Sequence, residues 1–214
     1  GVLVLVGGVF YMDQYRRGLI EGRLDALVTE SLIVAAALGE AATVDRPGAG
    51  AVLDPLRSAE LLQSLALPVG SRMRIFLPNG DLAVDSRRLS LARSRIEMRE
   101  LPPPRAPGPF DGLLDAVFGG LDRLLTADLP EYVERGYQRA EHFAEAVRAL
   151  RGSVGAQERR GPDENVVLNV AVPIRRFKEV HGALMLTAPT DDIERRVRAT
   201  RGDDILAACG QLKS

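Results

Sequence analysis

Apolar positions follow a helical period in the first part of the chain and a period of two in later stretches. Over residues 11–40, Ile20, Leu24, Leu27, Ser31, Val34 and Leu38 alternate four and three apart. Val28, Leu32 and Ala35 widen this seam into a stripe, and Arg16, Arg17, Glu21, Arg23, Asp25 and Glu30 fill the other faces. Such a stripe either packs on the core of its own domain or pairs with its copy in a second subunit. It is wide enough for both, so the six seam residues are candidate contacts of a homodimer.

The period then changes. Residues 45–55 hold Pro47, Gly48, Gly50 and Pro55 and read as a loop, and 58–67 suit a short helix ended by Pro68-Val69-Gly70. Residues 73–77 and 82–86 read as strands joined by Pro78-Asn79-Gly80-Asp81, because Asn-Gly between two such runs is a strong hairpin signal. Prolines at 102–104, 107 and 109 form a stiff connector into a helical insert over about 105–150, with helices at 110–125 and 130–150. Tyr132, Phe143, Val147 and Leu150 mark the second of these. Residues 153–159 suit a short strand. Residues 166–174 are apolar on both faces, which suits an interior strand, and 182–187 read as its partner. Residues 175–181 read as the hairpin connection or as strand ends. Thr190 followed by Asp191 and Asp192 opens a last helix. The order is long helix, hairpin, helical insert, hairpin, terminal helix, which is an α+β arrangement with a small antiparallel sheet.

The first twelve residues carry no charge. A spanning helix needs about 20 apolar residues, so this run is too short to be one. It fits the last turns of a membrane helix, with Phe10 and Tyr11 at the interface, and a buried first strand is the competing reading. Gly7-Gly8 does not complete a dinucleotide-binding turn. The chain has no initiator Met and is expected to be part of a longer protein.

Composition narrows the chemistry. Hydrophobic residues make up 46% and charged residues 27% of 214, with formal net charge −1, so no bulk electrostatic attraction to nucleic acid is expected. There is no Trp, and aliphatic side chains must build the core. The single cysteine, Cys209, cannot form an internal disulfide. The two histidines, His142 and His181, lie in no zinc-binding pattern, and no phosphate loop or nucleophile elbow is present. No metal, cofactor or catalytic residue is therefore expected. Arginines cluster instead. Arg72, Arg74, Arg87, Arg88, Arg93, Arg95 and Arg99 sit on and after the first hairpin, and Arg175, Arg176 and Lys178 follow the long strand. Arg72, Arg74, Arg175 and Arg176, with Asp85 at the end of the second strand, are candidates for an anion-binding site, since guanidinium forks match carboxylates and phosphates. A solvated, salt-bridged surface is the competing reading.

The run from Arg72 to Arg87, Arg-Met-Arg-Ile-Phe-Leu-Pro-Asn-Gly-Asp-Leu-Ala-Val-Asp-Ser-Arg, resembles a stretch of the ChvG/ExoS-type sensor histidine kinases of alphaproteobacteria. The run from Val170 to Leu186, Val-Ala-Val-Pro-Ile-Arg-Arg-Phe-Lys-Glu-Val-His-Gly-Ala-Leu-Met-Leu, resembles a more specific motif of that family. Arg23 to Leu27, Leu101 to Pro104 and Asp191 to Ile193 also fit. The resemblance covers most of the chain from residue 15 to 206. It implies a PAS-like or Cache-like (PDC-type) periplasmic sensor domain of an inner-membrane protein. Residues 1–12 would end the first membrane helix, 13–206 would form the domain, and 207–214 would begin the second membrane segment or be a tail foreign to the family. It also implies two-component signalling of acid or envelope stress, and restraint by a periplasmic repressor protein. The kinase machinery would lie further along, since neither histidine sits in a phosphoacceptor box. His181 and His142 are candidate pH sensors, because histidine titrates near mild acidity. A Cache-like anion-binding ectodomain of a chemoreceptor or cyclase is the rival, and a secreted enzyme or binding protein a third reading.

Overall fold

The computed structural model describes residues 2–48, 50–65, 71–91, 129–133, 136–161 and 166–190. Helix α1 runs unbroken over Val2–Ala41. The apolar opening run is thus the start of that helix, and the strand reading of it is overturned. No helix among the described residues is long and apolar enough to cross a membrane.

A small hairpin follows, β1 (Thr43–Arg46) and β2 (Gly50–Leu53), where the sequence suggested a loop. Pro47 and Gly48 make its turn, and the flanking strands are only four residues each, too short for a visible alternation. Helix α2 (Pro55–Ser64) starts three residues earlier than expected. Asp54 caps it, accepting from the backbone N–H of Leu56 at 2.9 Å, and Pro55 fits the first helical position, where no N–H is needed.

The main sheet contains β3 (Arg72–Phe76), β4 (Leu82–Asp85), β5 (Gly155–Arg160), β6 (Val166–Arg176) and β7 (Glu179–Pro189). Their order is β4-β3-β7-β6-β5, every pair antiparallel. The Asn-Gly hairpin, the short strand before residue 160 and the interior placement of β6 agree with the sequence reading. Pro173 lies past Ala171, the last β6 residue that β5 covers, so its missing N–H breaks no bond to β5. A short helix α3 (Ser86–Leu91) follows β4 directly.

The sheet is covered on both faces. On one, Ile20, Leu27, Val34 and Leu38 of α1 join Met73, Ile75, Leu168, Val170, Val172, Ile174, Leu184 and Leu186 in the larger core. Gly39 admits the end of this helix against the carbonyl of Arg175, where a Cβ would collide. The apolar stripe of α1 is thus the domain's own packing face. Leu27, Ser31 and Leu38 are fully buried, Ile20 and Val34 nearly so, and Leu24 packs at the margin. These side chains, expected as a subunit seam, contact the sheet of their own chain; Tyr15, Leu32 and Ile33 point outward.

On the opposite face, a 3-10 turn (Ala140–His142) and helix α4 (Ala144–Leu150) bring Phe143, Ala146 and Ala149 against Phe76, Ala171, Ala183 and Met185. Among its described residues, the expected helix over 130–150 is thus helical only from residue 140. Residues 130–132 run along the edge of β5, with Tyr132 donating to the Arg160 carbonyl at 2.8 Å. That part of the insert is therefore bound to the edge of the sheet. The helix expected at 110–125, the proline-rich connector, the terminal helix from residue 191 and residues 207–214 lie outside the described residues.

Candidate functional site

Strand register sorts the polar residues of the sheet. Arg74, Met185, Ala171 and Gly155 form one row across β3, β7, β6 and β5, and Asp85 continues it on β4. Arg72, Thr187, Asn169 and Gln157 form the next. Side chains alternate across a sheet, so these rows and Arg159 share the face that α4 covers. A polar layer is thereby enclosed between the sheet and α4.

Two ion pairs anchor it. Arg72 grips Asp85 with two bonds, 2.9 Å from Nε to Oδ1 and 2.5 Å from Nη2 to Oδ2, and the Arg87 N–H adds a third to Oδ1 at 3.1 Å. Burial alone would raise the Asp85 carboxyl, but the Arg72 fork outweighs it and holds the group below the usual carboxylate range. Fully buried Glu145, from α4, accepts from Arg159 at 3.2 and 3.0 Å and from Asn169 Nδ2 at 2.9 Å. Gly155 makes room for this pair, because a Cβ there would stand 2.7 Å from the Glu145 backbone.

Arg74 differs from both. It is fully buried, yet its acceptors are the hydroxyls of Tyr132 and, at 3.5 Å, Thr187. Its guanidinium lies 5.7 Å from the Tyr132 ring centre and 5.3 Å from that of Phe143. Arg159 stands 5.5 Å from the same Phe143 ring. Burial pushes the Arg74 pKa down from its usual value, Tyr132 opposes that shift, and the neighbouring Arg72 adds to it. Arg74 Nε and Asn169 Oδ1 have no hydrogen-bond partner among the described residues.

The sequence candidates thus divide. Arg72, Arg74 and Asp85 come together. Arg175 and Arg176 do not join them: six residues of strand separate Asn169 from Arg175, about 20 Å. Arg175 donates to the Gly152 carbonyl, and Arg176 reaches Asp45 at 3.4 Å. Arg175 is exposed and Arg176 partly buried, each with its own acceptor away from the polar layer. His181 is buried on β7, His142 accepts from the Arg139 N–H at 3.2 Å through Nδ1, and among the described residues neither hydrogen-bonds the polar layer. Sequence reasoning missed Tyr132, Phe143, Glu145, Arg159 and Asn169. Asn169 was detectable, since a polar residue inside Val-Val-Leu-Asn-Val needs a buried partner. No group of side chains suited to hold a metal ion occurs among the described residues.

Comparison with known proteins bears on what this layer serves. Residues 53–163, which include β3, β4 and α4, match the model of a stimulus-sensing domain. Residues 1–44, essentially α1, match that of a sensor N-terminal transmembrane domain. The chain is 33% identical over 226 aligned positions to the sensor protein ChvG of Rhizobium meliloti (strain 1021), covering 94% of this chain and 39% of that protein. It is 31% identical over 225 positions to the sensor protein ChvG of Agrobacterium fabrum (strain C58 / ATCC 33970), covering 93% and 37% respectively. The chain therefore spans less than two fifths of the length of these relatives. With its helix, antiparallel sheet and enclosed polar layer, the chain belongs to the stimulus-sensing domain family of ChvG-like sensor proteins.

Proposed function

We propose that this chain is the extracytoplasmic input domain of a membrane-bound sensor histidine kinase, non-enzymatic itself, acting in two-component signalling of acid or envelope stress. The observation that carries the reading is the joint match to a sensor transmembrane segment and a stimulus-sensing domain, with α1 belonging to both. Helix α1 lies against one face of the sheet and the buried polar layer against the other. A change in that layer reaches α1 through the strands between them, and α1 carries it toward the membrane. The domain works as a homodimer in the periplasm, is anchored through both ends of its parent, and is restrained by a periplasmic repressor protein.

Full-length protein in sealed vesicles tests this. Autophosphorylation should rise when only the compartment holding this domain is brought to about pH 6, where histidine titrates. The purified repressor should lower it. Output indifferent to both treatments would refute the proposal. A double His142→Gln/His181→Gln variant with an unshifted acid midpoint would assign the acid response to carboxylates instead.

A further inference from the structure

Arg74 is held in a way that a purely structural arginine is not. A buried cation needs a facing anion, because its desolvation costs several kcal/mol. Asp85, opposite Arg74 on β4, attracts it but commits both oxygens to hydrogen bonds with Arg72, and Glu145 of the same layer bonds Arg159 and Asn169. Arg74 keeps two hydroxyl acceptors and, among the described residues, an Nε with no partner. One of those acceptors is insecurely placed. Tyr132 is only half-buried, and its segment is tied to β5 by two backbone bonds, Tyr132 N–H to the Arg160 carbonyl at 2.8 Å and Arg160 N–H to the Pro130 carbonyl at 3.0 Å.

We propose that Arg74 is the receptor for a small monocarboxylate, whose oxygens replace the Tyr132 hydroxyl on the guanidinium. The planar fork of arginine suits a carboxylate, and one negative charge balances one cation. A phosphate would bring further charge, while Arg72 and Arg159 already hold carboxylates. Phe143 and Met185, on the same face, offer the organic part an apolar wall. Binding displaces Tyr132 and moves the 130–132 segment off the sheet edge, so occupancy changes how the insert is tied to β5. The inference rests on the sensory reading for its physiological use, but direct binding to the isolated chain stands or fails without kinase output.

Propionate is the probe, with sodium chloride at matched ionic strength, methyl propionate and inorganic phosphate as controls. Thermal unfolding and calorimetry of the 214-residue chain supply the readout. Propionate should raise the melting temperature, and chloride and the uncharged ester should not. Tyr132→Phe removes the competing hydroxyl and should tighten propionate binding about tenfold to a hundredfold, the worth of one hydrogen bond from a charged donor. Arg74→Met should abolish binding. If that variant does not fold, Arg74→Lys, which keeps the charge and loses the fork, should weaken binding at least tenfold. A melting temperature indifferent to propionate, equal stabilisation by phosphate or by the ester, or an unchanged affinity in Tyr132→Phe would each overturn the assignment.

Discussion

Glu145→Ala isolates the energetics of the buried layer. The carboxylate is fully buried and makes three charge-assisted bonds, two to Arg159 and one to Asn169. Its removal strands a guanidinium that is itself 91% buried on a residue basis, beside an amide that loses its acceptor. Breaking one side of a buried ion pair costs about 3–5 kcal/mol, far above the ~0–1 kcal/mol of an exposed bridge. In a domain of this size each kcal/mol shifts the melting temperature by about 2–4 °C, so a fall on the order of 6–20 °C is expected. A double-mutant cycle with Arg159→Met sharpens the test. Glu145→Leu combined with Arg159→Met leaves neither charge behind and should recover most of the stability lost by either change alone. Urea unfolding followed by circular dichroism measures all variants on one scale. A loss under about 1 kcal/mol in Glu145→Ala, or simple additivity in the cycle, would refute the picture of a tightly enclosed, coupled pair.

Asp85→Asn should lower stability at neutral pH and flatten the acid limb. The folded carboxyl titrates below its unfolded value of about 3.9, so its contribution is full above that value and is lost as pH falls through the folded pKa. Melting temperature against pH reads this out, and an unchanged acid limb would count against it. Gly155→Ala should destabilise by roughly 1–3 kcal/mol, because the new methyl meets the Glu145 backbone at 2.7 Å. Phe177 and Lys178, at the β6–β7 turn, have φ of 50° and 71°, so Phe177→Asn with Lys178→Gly should stabilise by about 1 kcal/mol in the same denaturation assay. Leu27→Ala should cost about 2–5 kcal/mol as a core truncation. In the full-length protein, cysteine at Ile33 should cross-link between subunits more readily than cysteine at Leu27, and the reverse order would restore the seam first read from the heptads.

Where local signals were strong, the sequence predicted the fold. Asn79-Gly80 placed the β3–β4 hairpin, and the unbroken apolar run around Val170 placed β6 in the sheet interior. Failures arose where elements were short or partners distant. Thr43–Arg46 and Gly50–Leu53 are each four residues long, and the proline and glycine between them masked their pairing. Tyr132 fitted a helical face by spacing, but its backbone is bound to Arg160, 28 positions away. The site was half legible for the same reason. Arg72 and Arg74 lie two apart on one strand, so their shared face followed from the pleat alone. Separating Arg175 and Arg176 from them required the register of β6, and pairing Glu145 with Arg159 required knowing that α4 folds back over β5.

The unequal grip on α1 has a mechanical consequence. Ile20, Leu27, Val34 and Leu38 are buried in the core, Leu19 packs against it, and the same helix continues unbroken back to Val2. At 1.5 Å per residue the helix from Val2 to Ile20 is about 27 Å long. A rocking of about 5° where the helix meets the sheet would swing its far end by roughly 2 Å, since an unbroken helix has no joint to absorb the angle. The fulcrum sits at Ile20, and the lever ratio is set by helix length rather than by any side chain at the tip. Shifts too small to see inside the domain would thus become readable displacement at residue 2.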